Sequence, residues 1–208
     1  MKLKITYNNE AKEGFSSGWG FSCLIEKQNQ KILFDTGADS KELLYNINKL
    51  NINPKDINKV VISHRHWDHT GGLDGFMKEN GNKATLIWPD KKDSFKISKG
   101  VYSTGALRGF LGLEEQSLVV ESSKGLIVLV GCSHPGVDKI LDAARHIKEK
   151  NHIYAIIGGF HGFNKLEALK GIEIIGACHC TQHMREIKER FPQQFREIKA
   201  GDVLEFVD

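Results

Sequence analysis

"NKVVISHRHWDHTGGL", residues 58–73, runs an apolar stretch straight into a cluster of metal-ligand side chains. Val60, Val61 and Ile62 make the kind of β-branched run that fills a buried strand. Directly after it come His64, His66, Asp68 and His69. His64 and His66 stand two positions apart, so in an extended segment both rings face one side. Asp68 and His69 reach a neighbouring position if the chain then curls into a helix, as "TGGLDGFMKE" (70–79) predicts.

Working outward, the same arrangement recurs. "LIVLVGCSH" (126–134), "YAIIGGFH" (154–161) and "IEIIGACH" (172–179) each lead an apolar strand through small residues to a histidine: His134, His161 and His179. Ligands collect beyond the carboxyl ends of strands in open α/β sheets. With these strands side by side, four histidine-bearing loops converge on one rim, and Gly131, Gly158, Gly159 and Gly176 let the backbone turn sharply. Donors of imidazole and carboxylate type suit zinc, iron or manganese. Two closely spaced subsets suggest two ions, roughly 3.5–4 Å apart in sites of that kind.

The other elements read as α/β. Strands are expected at "KLKITYN" (2–8), "GFSCLIEK" (20–27), "KILFDTG" (31–37) and "ATLIW" (84–88), with a hairpin at "QSLVVESSKGLIVLVG" (116–131) turning on "SSKG". Asp39 and Glu42 resemble a capping box for a helix over 38–50, with Leu43, Leu44, Ile47 and Leu50 on one face. "GVDKILDAARHIKEK" (136–150) places Val137, Ile140, Leu141, Ala144 and Ile147 on one helical face. A strand at 153–157, a short helix at 164–170, a strand at 172–175, a helix at 181–190 and a strand at 202–207 follow. The weakly patterned segment 89–116 reads as a long loop over the cleft. With no repeat or linker, residues 1–208 read as one domain, with helices covering packed sheets.

Composition excludes several classes. Net charge is +3, from 29 basic and 26 acidic residues, too mild for a nucleic-acid partner. The Lys- and Arg-rich stretch at 185–202 alternates with Glu and reads as a solvated face. No apolar run has signal-peptide or membrane-span length, so a soluble, cytoplasmic protein is expected. The four cysteines, Cys23, Cys132, Cys178 and Cys180, suit that compartment as thiols. In "ACHCT" (177–181), alternation along an extended segment points Cys178 and Cys180 away from the side His179 uses. Trp67 is a candidate for a substrate wall or for the core, and Arg65 and Arg108 are candidates to receive a phosphate.

These residues resemble the metallo-β-lactamase superfamily. The match is its His-x-His-x-Asp-His signature, filled by His64, His66, Asp68 and His69 and followed by "TGGL". Asp35 in "ILFDTG" resembles the family's strand-end aspartate that braces the site. "GCSHPG", "GGFH" and "HCT" resemble the group containing the archaeal dihydropterin–ribofuranosylaminobenzene phosphate synthases, whose other members are mostly called metal-dependent hydrolases. The resemblance implies an αββα four-layer sandwich with a metal site at one edge. It also implies that His64, His66 and His134 hold one ion, and that Asp68, His69 and His179 hold the second. The chain departs from the family where "GCSH" replaces a strand-end "GD", so Cys132 is the candidate for the bridging position.

The leading expectation is a metal-dependent hydrolase with a mono- or dinuclear site, holding one or two ions with zinc the first choice, and acting on a small-molecule substrate for which a phosphorylated compound is one candidate. Asp68 orients the attacking hydroxide or accepts its proton. His161 is a candidate general acid or oxyanion donor, with a loop hydrogen bond as its alternative. A second reading is a synthase that displaces diphosphate from a pterin-type substrate. A third is redox chemistry, although di-iron oxygen reductases of this fold typically carry Glu where His66 stands. A non-catalytic metal-binding module is the fourth. "DTG" alone does not make an aspartic protease, which needs two carboxylates in contact.

Overall fold

The computed structural model describes residues 1–147 and 152–208. Strands β1 (Lys2–Tyr7), β2 (Ser22–Lys27) and β3 (Gln30–Phe34) lead to helix α1 (Ser40–Lys49). Strand β4 (Lys59–Val61), helices α2 (Trp67–Thr70) and α3 (Leu73–Asn80) and strand β5 (Thr85–Ile87) follow. Next come β6 (Phe95–Ser98), β7 (Val101–Ser103), β8 (Leu107–Arg108), β9 (Glu114–Glu115), β10 (Leu118–Ser122) and β11 (Gly125–Val130). Helix α4 (Val137–Ile147), strands β12 (Ile153–Gly159) and β13 (Ile174–Cys178), helix α5 (Met184–Arg190) and strand β14 (Val203–Glu205) complete the chain.

The chain forms two compact units, one of residues 1–88 with 198–208 and one of residues 89–197. The first is built on a six-stranded mixed sheet ordered β14-β1-β2-β3-β4-β5. Leu43 and Ile47 of α1 and Leu73 and Phe76 of α3 pack with Tyr7, Leu24, Leu33, Val60 and Ile62 in one apolar cluster. Burying each such side chain contributes on the order of 1.5–3 kcal/mol. Asp39 caps α1 by accepting from the N–H groups of Lys41 and Glu42. The capping box is only half made, because Glu42 instead accepts from the Tyr7 hydroxyl at 2.6 Å.

The second unit is built on a six-stranded sheet ordered β13-β12-β11-β10-β7-β6. Strands β10 and β11 form the expected hairpin, pairing Ser122 with Gly125 across its turn. Val137, Ile140, Leu141 and Ala144 of α4 and Ile187 of α5 pack against Val119, Val128, Val130, Ile156 and Ile175. Each unit is thus a sheet with its own helices, as an α/β layered fold requires.

Three expectations need correction. The segment 89–116 is not an irregular loop: it supplies edge strands β6 and β7 and the short β8–β9 ladder. The 164–170 stretch makes a 3-10 turn over Leu166–Leu169 rather than an α-helix, having only a few residues before Gly171. Only three of the four histidine-bearing strands are neighbours in one sheet, β11, β12 and β13. Strand β4, which leads to His64, belongs to the other sheet. The end of the helix expected over 136–150 lies outside the described residues. Among the described residues no helix is long and apolar enough to cross a membrane.

Candidate functional site

In the first unit the cluster is organised from below by Asp35. Strands β3 and β4 run parallel with Phe34 beside Val61, so both end at the same edge. There Asp35 adopts a left-handed φ of 57° and is fully buried. Its Oδ1 accepts from the Ser63 N–H at 2.6 Å, and its Oδ2 accepts from the Ser63 hydroxyl at 2.7 Å. His69 Nδ1 donates to the same Oδ2 at 2.7 Å, which leaves Nε2 of His69 as the ligand atom.

Ser63 extends the same logic to His64. Its one hydroxyl hydrogen goes to Asp35, so across the 2.9 Å contact with His64 Nδ1 it accepts, and Nε2 of His64 carries the lone pair. That Nε2 lies 3.1 Å from Nδ1 of His66. His64 and His69 pack with ring centroids 4.2 Å apart. Asp68, in α2, is nearly buried, and its Oδ2 accepts from Trp19 Nε1 at 3.1 Å. That oxygen lies 3.8 Å from Nε2 of His69. The signature residues His64, His66, Asp68 and His69 are therefore brought together as expected. Their donor chemistry fits a divalent cation: imidazoles oriented by hydrogen bonds at the opposite ring nitrogen, and a carboxylate held by a donor.

In the second unit, parallel pairing of β11 with β12 and of β12 with β13 brings three loops to one edge. The loop after β11 is held by Glu115, buried in β9. Its Oε1 accepts from the N–H groups of Cys132 at 2.9 Å and Ser133 at 2.8 Å, and its Oε2 accepts from that of His134 at 2.8 Å. Ser133 has a φ of 62° and donates its hydroxyl to the Gly159 carbonyl at 2.7 Å. The ring of exposed His161 lies 4.9 Å from that of His134. Both line a cavity of about 310 Å³ with Asp138, Lys139 and Lys165. Cys132 and His179 present ligand atoms within 4.8 Å of one another.

The sharp turns at these strand ends fall on Asp35, Ser133 and two of the candidate histidines more than on the glycines expected to carry them. Asp35, Ser133, His161 and His179 all have positive φ. Such backbone persists only where surroundings hold it, at a cost of roughly 1–3 kcal/mol each. Gly159 serves close approach instead, since a Cβ there would meet the Gly131 carbonyl oxygen at 2.6 Å. The left-handed turn at His179 also defeats the strand alternation expected at 177–181. Cys178 is buried as a small apolar group, but Cys180 turns toward Cys132. A hydrogen bond with the Cys132 thiol is the largest influence on the Cys180 thiol and lowers it. Burial opposes this, and His179 and His161 help bring it to about 5.

Sequence reasoning missed Glu115 and Trp19 and gave Ser63 no role. Glu115 sits in the weakly patterned "LEEQ" stretch, where no local signal marks it.

The family model for the metallo-β-lactamase superfamily matches residues 20–151. The chain belongs to this superfamily. A 7,8-dihydropterin-6-methyl-4-(beta-D-ribofuranosyl)-aminobenzene-5'-phosphate synthase from Methanocaldococcus jannaschii is 29% identical to it over 268 aligned positions, covering 92% of this chain and 91% of the relative. A crystal structure described as a metal-dependent hydrolase of the β-lactamase superfamily superposes with a TM-score of 0.80 at 28% identity, covering all of both chains. Human tRNase Z, short form, shares the fold with a TM-score of 0.65 at 14% identity over 99% of each chain. The metallo-β-lactamase fold is thus the architecture within which the Asp35-braced histidines and the Glu115-braced loop sit.

Proposed function

We propose that this superfamily member is a cytoplasmic metal-dependent hydrolase of a small-molecule substrate. In this reading one or two ions would be held: His64, His66 and His134 would take one, Asp68, His69 and His179 would take a second, and Cys132 would offer its thiolate in place of the bridging aspartate. The observation that carries the reading is the buried Asp35 carboxylate, which through His69 and Ser63 dictates which imidazole nitrogens carry lone pairs. Zinc suits these donors first, with iron and manganese also compatible. Such ions supply Lewis acidity that brings a water's pKa toward neutrality.

The chain's own residues supply the rest. Asp68 takes up the proton released at the site, with its Oδ2 oriented by the Trp19 N–H. His161, exposed beside the His134 ring, donates to the oxygen that gains charge as the bond breaks. The test is His66→Ala, assayed for bound metal and for turnover of phosphodiester, lactone, thioester and pterin substrates. Metal and activity are expected to vanish together. A metal-free variant with full turnover would overturn the proposal.

A second reading, a synthase displacing diphosphate, is favoured by the near full-length likeness to the archaeal synthase. Incubation with a pterin diphosphate and an aromatic amine acceptor separates the two. A condensed product supports the synthase, and free pterin alcohol with diphosphate supports the hydrolase.

A further inference from the structure

We infer that Thr181 is a positioning residue for two histidines at once, His179 and His161. The inference rests on the proposed function, which takes His179 as a ligand and His161 as a proton donor. Both follow strands that lie side by side, β12 and β13, whose last residues Gly159 and Cys178 pair. Both leave the extended region, with φ of 50° at His179 and 40° at His161. Left-handed backbone on a residue other than glycine costs energy and persists only where its surroundings hold it. Between these two loops one hydroxyl does the holding.

The Thr181 hydroxyl donates its one hydrogen to the Cys178 carbonyl at 2.7 Å, and the Thr181 N–H reaches the same oxygen at 3.2 Å. Those two bonds close the turn that carries His179. With its hydrogen spent, the hydroxyl accepts across its 3.0 Å contact with the Phe160 N–H. Phe160 is also anchored from its other side, because its fully buried ring belongs to the apolar cluster that takes in α4 and α5. The residue before His161 is thus fixed at both backbone and ring. The next position completes the clamp, since the Gln182 N–H donates to the His161 carbonyl at 2.9 Å. Thr181 and Gln182 therefore hold Phe160 and His161 residue by residue. Valine matches the shape of threonine, but it would leave the Phe160 N–H without this acceptor and open one of the two bonds that close the His179 turn.

The test measures zinc affinity of the full chain by chelator competition, and turnover of bis(4-nitrophenyl) phosphate at saturating zinc. Thr181→Val should bind zinc roughly tenfold to a hundredfold more weakly, the range for groups that orient ligands, while Thr181→Ser keeps the hydroxyl and stays near the parent. Zinc-saturated Thr181→Val should lose on the order of tenfold to a hundredfold in kcat at unchanged KM, as a misplaced donor does. In a His161→Gln background the same substitution should lower kcat by less than about twofold, since a group already removed cannot be misplaced. Amide exchange in the parent needs no variant: the Phe160 N–H should be protected as strongly as its β12 neighbours. A Phe160 amide that exchanges like an open loop would overturn the inference. So would a folded Thr181→Val of parental zinc affinity and kcat, or a Thr181→Ser no better than Thr181→Val. Equal kcat losses in both backgrounds would mean a general structural role and overturn it as well. No turnover in a parent that binds zinc would count against the proposed function alone, and zinc affinity would then decide the inference.

Discussion

The backbone N–H of His134 ends on Glu115 Oε2 at 2.8 Å, and the other oxygen of that carboxylate takes the N–H groups of Cys132 and Ser133. One buried acid thus fixes three consecutive residues that carry two candidate ligands. Removing it leaves two buried donors and one half-buried donor unsatisfied, at about 1–3 kcal/mol for each buried one before water enters. Glu115→Ala is therefore expected to lower stability by about 3 kcal/mol and Tm by on the order of 10 °C. Zinc affinity should fall roughly tenfold to a hundredfold, as for other groups that orient ligands. Thermal melts with and without metal, alongside zinc competition against a chelator, measure both. Parental zinc affinity in the variant would remove Glu115 from the site.

Asp35 makes the corresponding demand in the first unit. Its Oδ2 accepts from both His69 Nδ1 and the Ser63 hydroxyl. An amide nitrogen at that position would face two donors, so Asp35→Asn should turn His69 to the tautomer whose Nε2 carries hydrogen. Metal affinity is expected to drop roughly tenfold to a hundredfold with the fold retained. Chelator competition checks the affinity. Histidine ring 15N shifts report the tautomer directly, and an unchanged His69 tautomer would count against the argument.

The ligand candidates could be read from the sequence because each follows an apolar strand, and strand ends gather where a sheet's edge is. Of the groups that hold them, Asp35 could be read through its resemblance to a family strand-end aspartate, but Glu115 could not. Glu115 meets Cys132, Ser133 and His134 across 17 to 19 residues, and nothing near it in sequence marks an acid that must be buried. Strands β6 and β7 were hidden by their brevity, since "FKIS" and "VYS" are too short to show a period. The assignment of β4 to a different sheet from β11 is a matter of topology, and the two apolar runs look alike. Alternation failed at Cys180 because His179 leaves the extended region, with a φ of 50°.

Asn80 shows the same kind of hidden demand away from the ligands. It ends α3, fully buried, and its Nδ2 donates to the carbonyls of Pro54 at 2.8 Å and Ile57 at 3.1 Å. Its Oδ1 accepts from the N–H groups of Lys83 at 2.9 Å and Ala84 at 2.7 Å. Asn80→Ala is expected to cost about 3 kcal/mol. Asn80→Asp should cost at least as much, because a carboxylate oxygen would then face two carbonyl oxygens. Denaturant unfolding gives both values, and metal bound per folded chain should stay unchanged. A loss under about 1 kcal/mol would mean that water replaces the amide without penalty.

Cys132 is the candidate proposed for the bridging position, and its thiol can be tested as a ligand by colour. Thiolate bound to cobalt gives an intense near-ultraviolet charge-transfer absorption that imidazole and carboxylate do not. The Cys132 N–H is pinned by Glu115, and its side chain lies within ligand reach of His179. Cys180 points toward Cys132 but follows the left-handed turn at His179. Cobalt-loaded parent protein is therefore expected to show the band, Cys132→Ser to lose it, and Cys180→Ser to keep it. Serine is a poorer ligand than thiolate, so Cys132→Ser should also bind fewer ions per chain. Cys132→Asp supplies a carboxylate in its place and should recover ion binding without recovering the band. A band that disappears in Cys180→Ser and persists in Cys132→Ser would transfer the ligand role to Cys180.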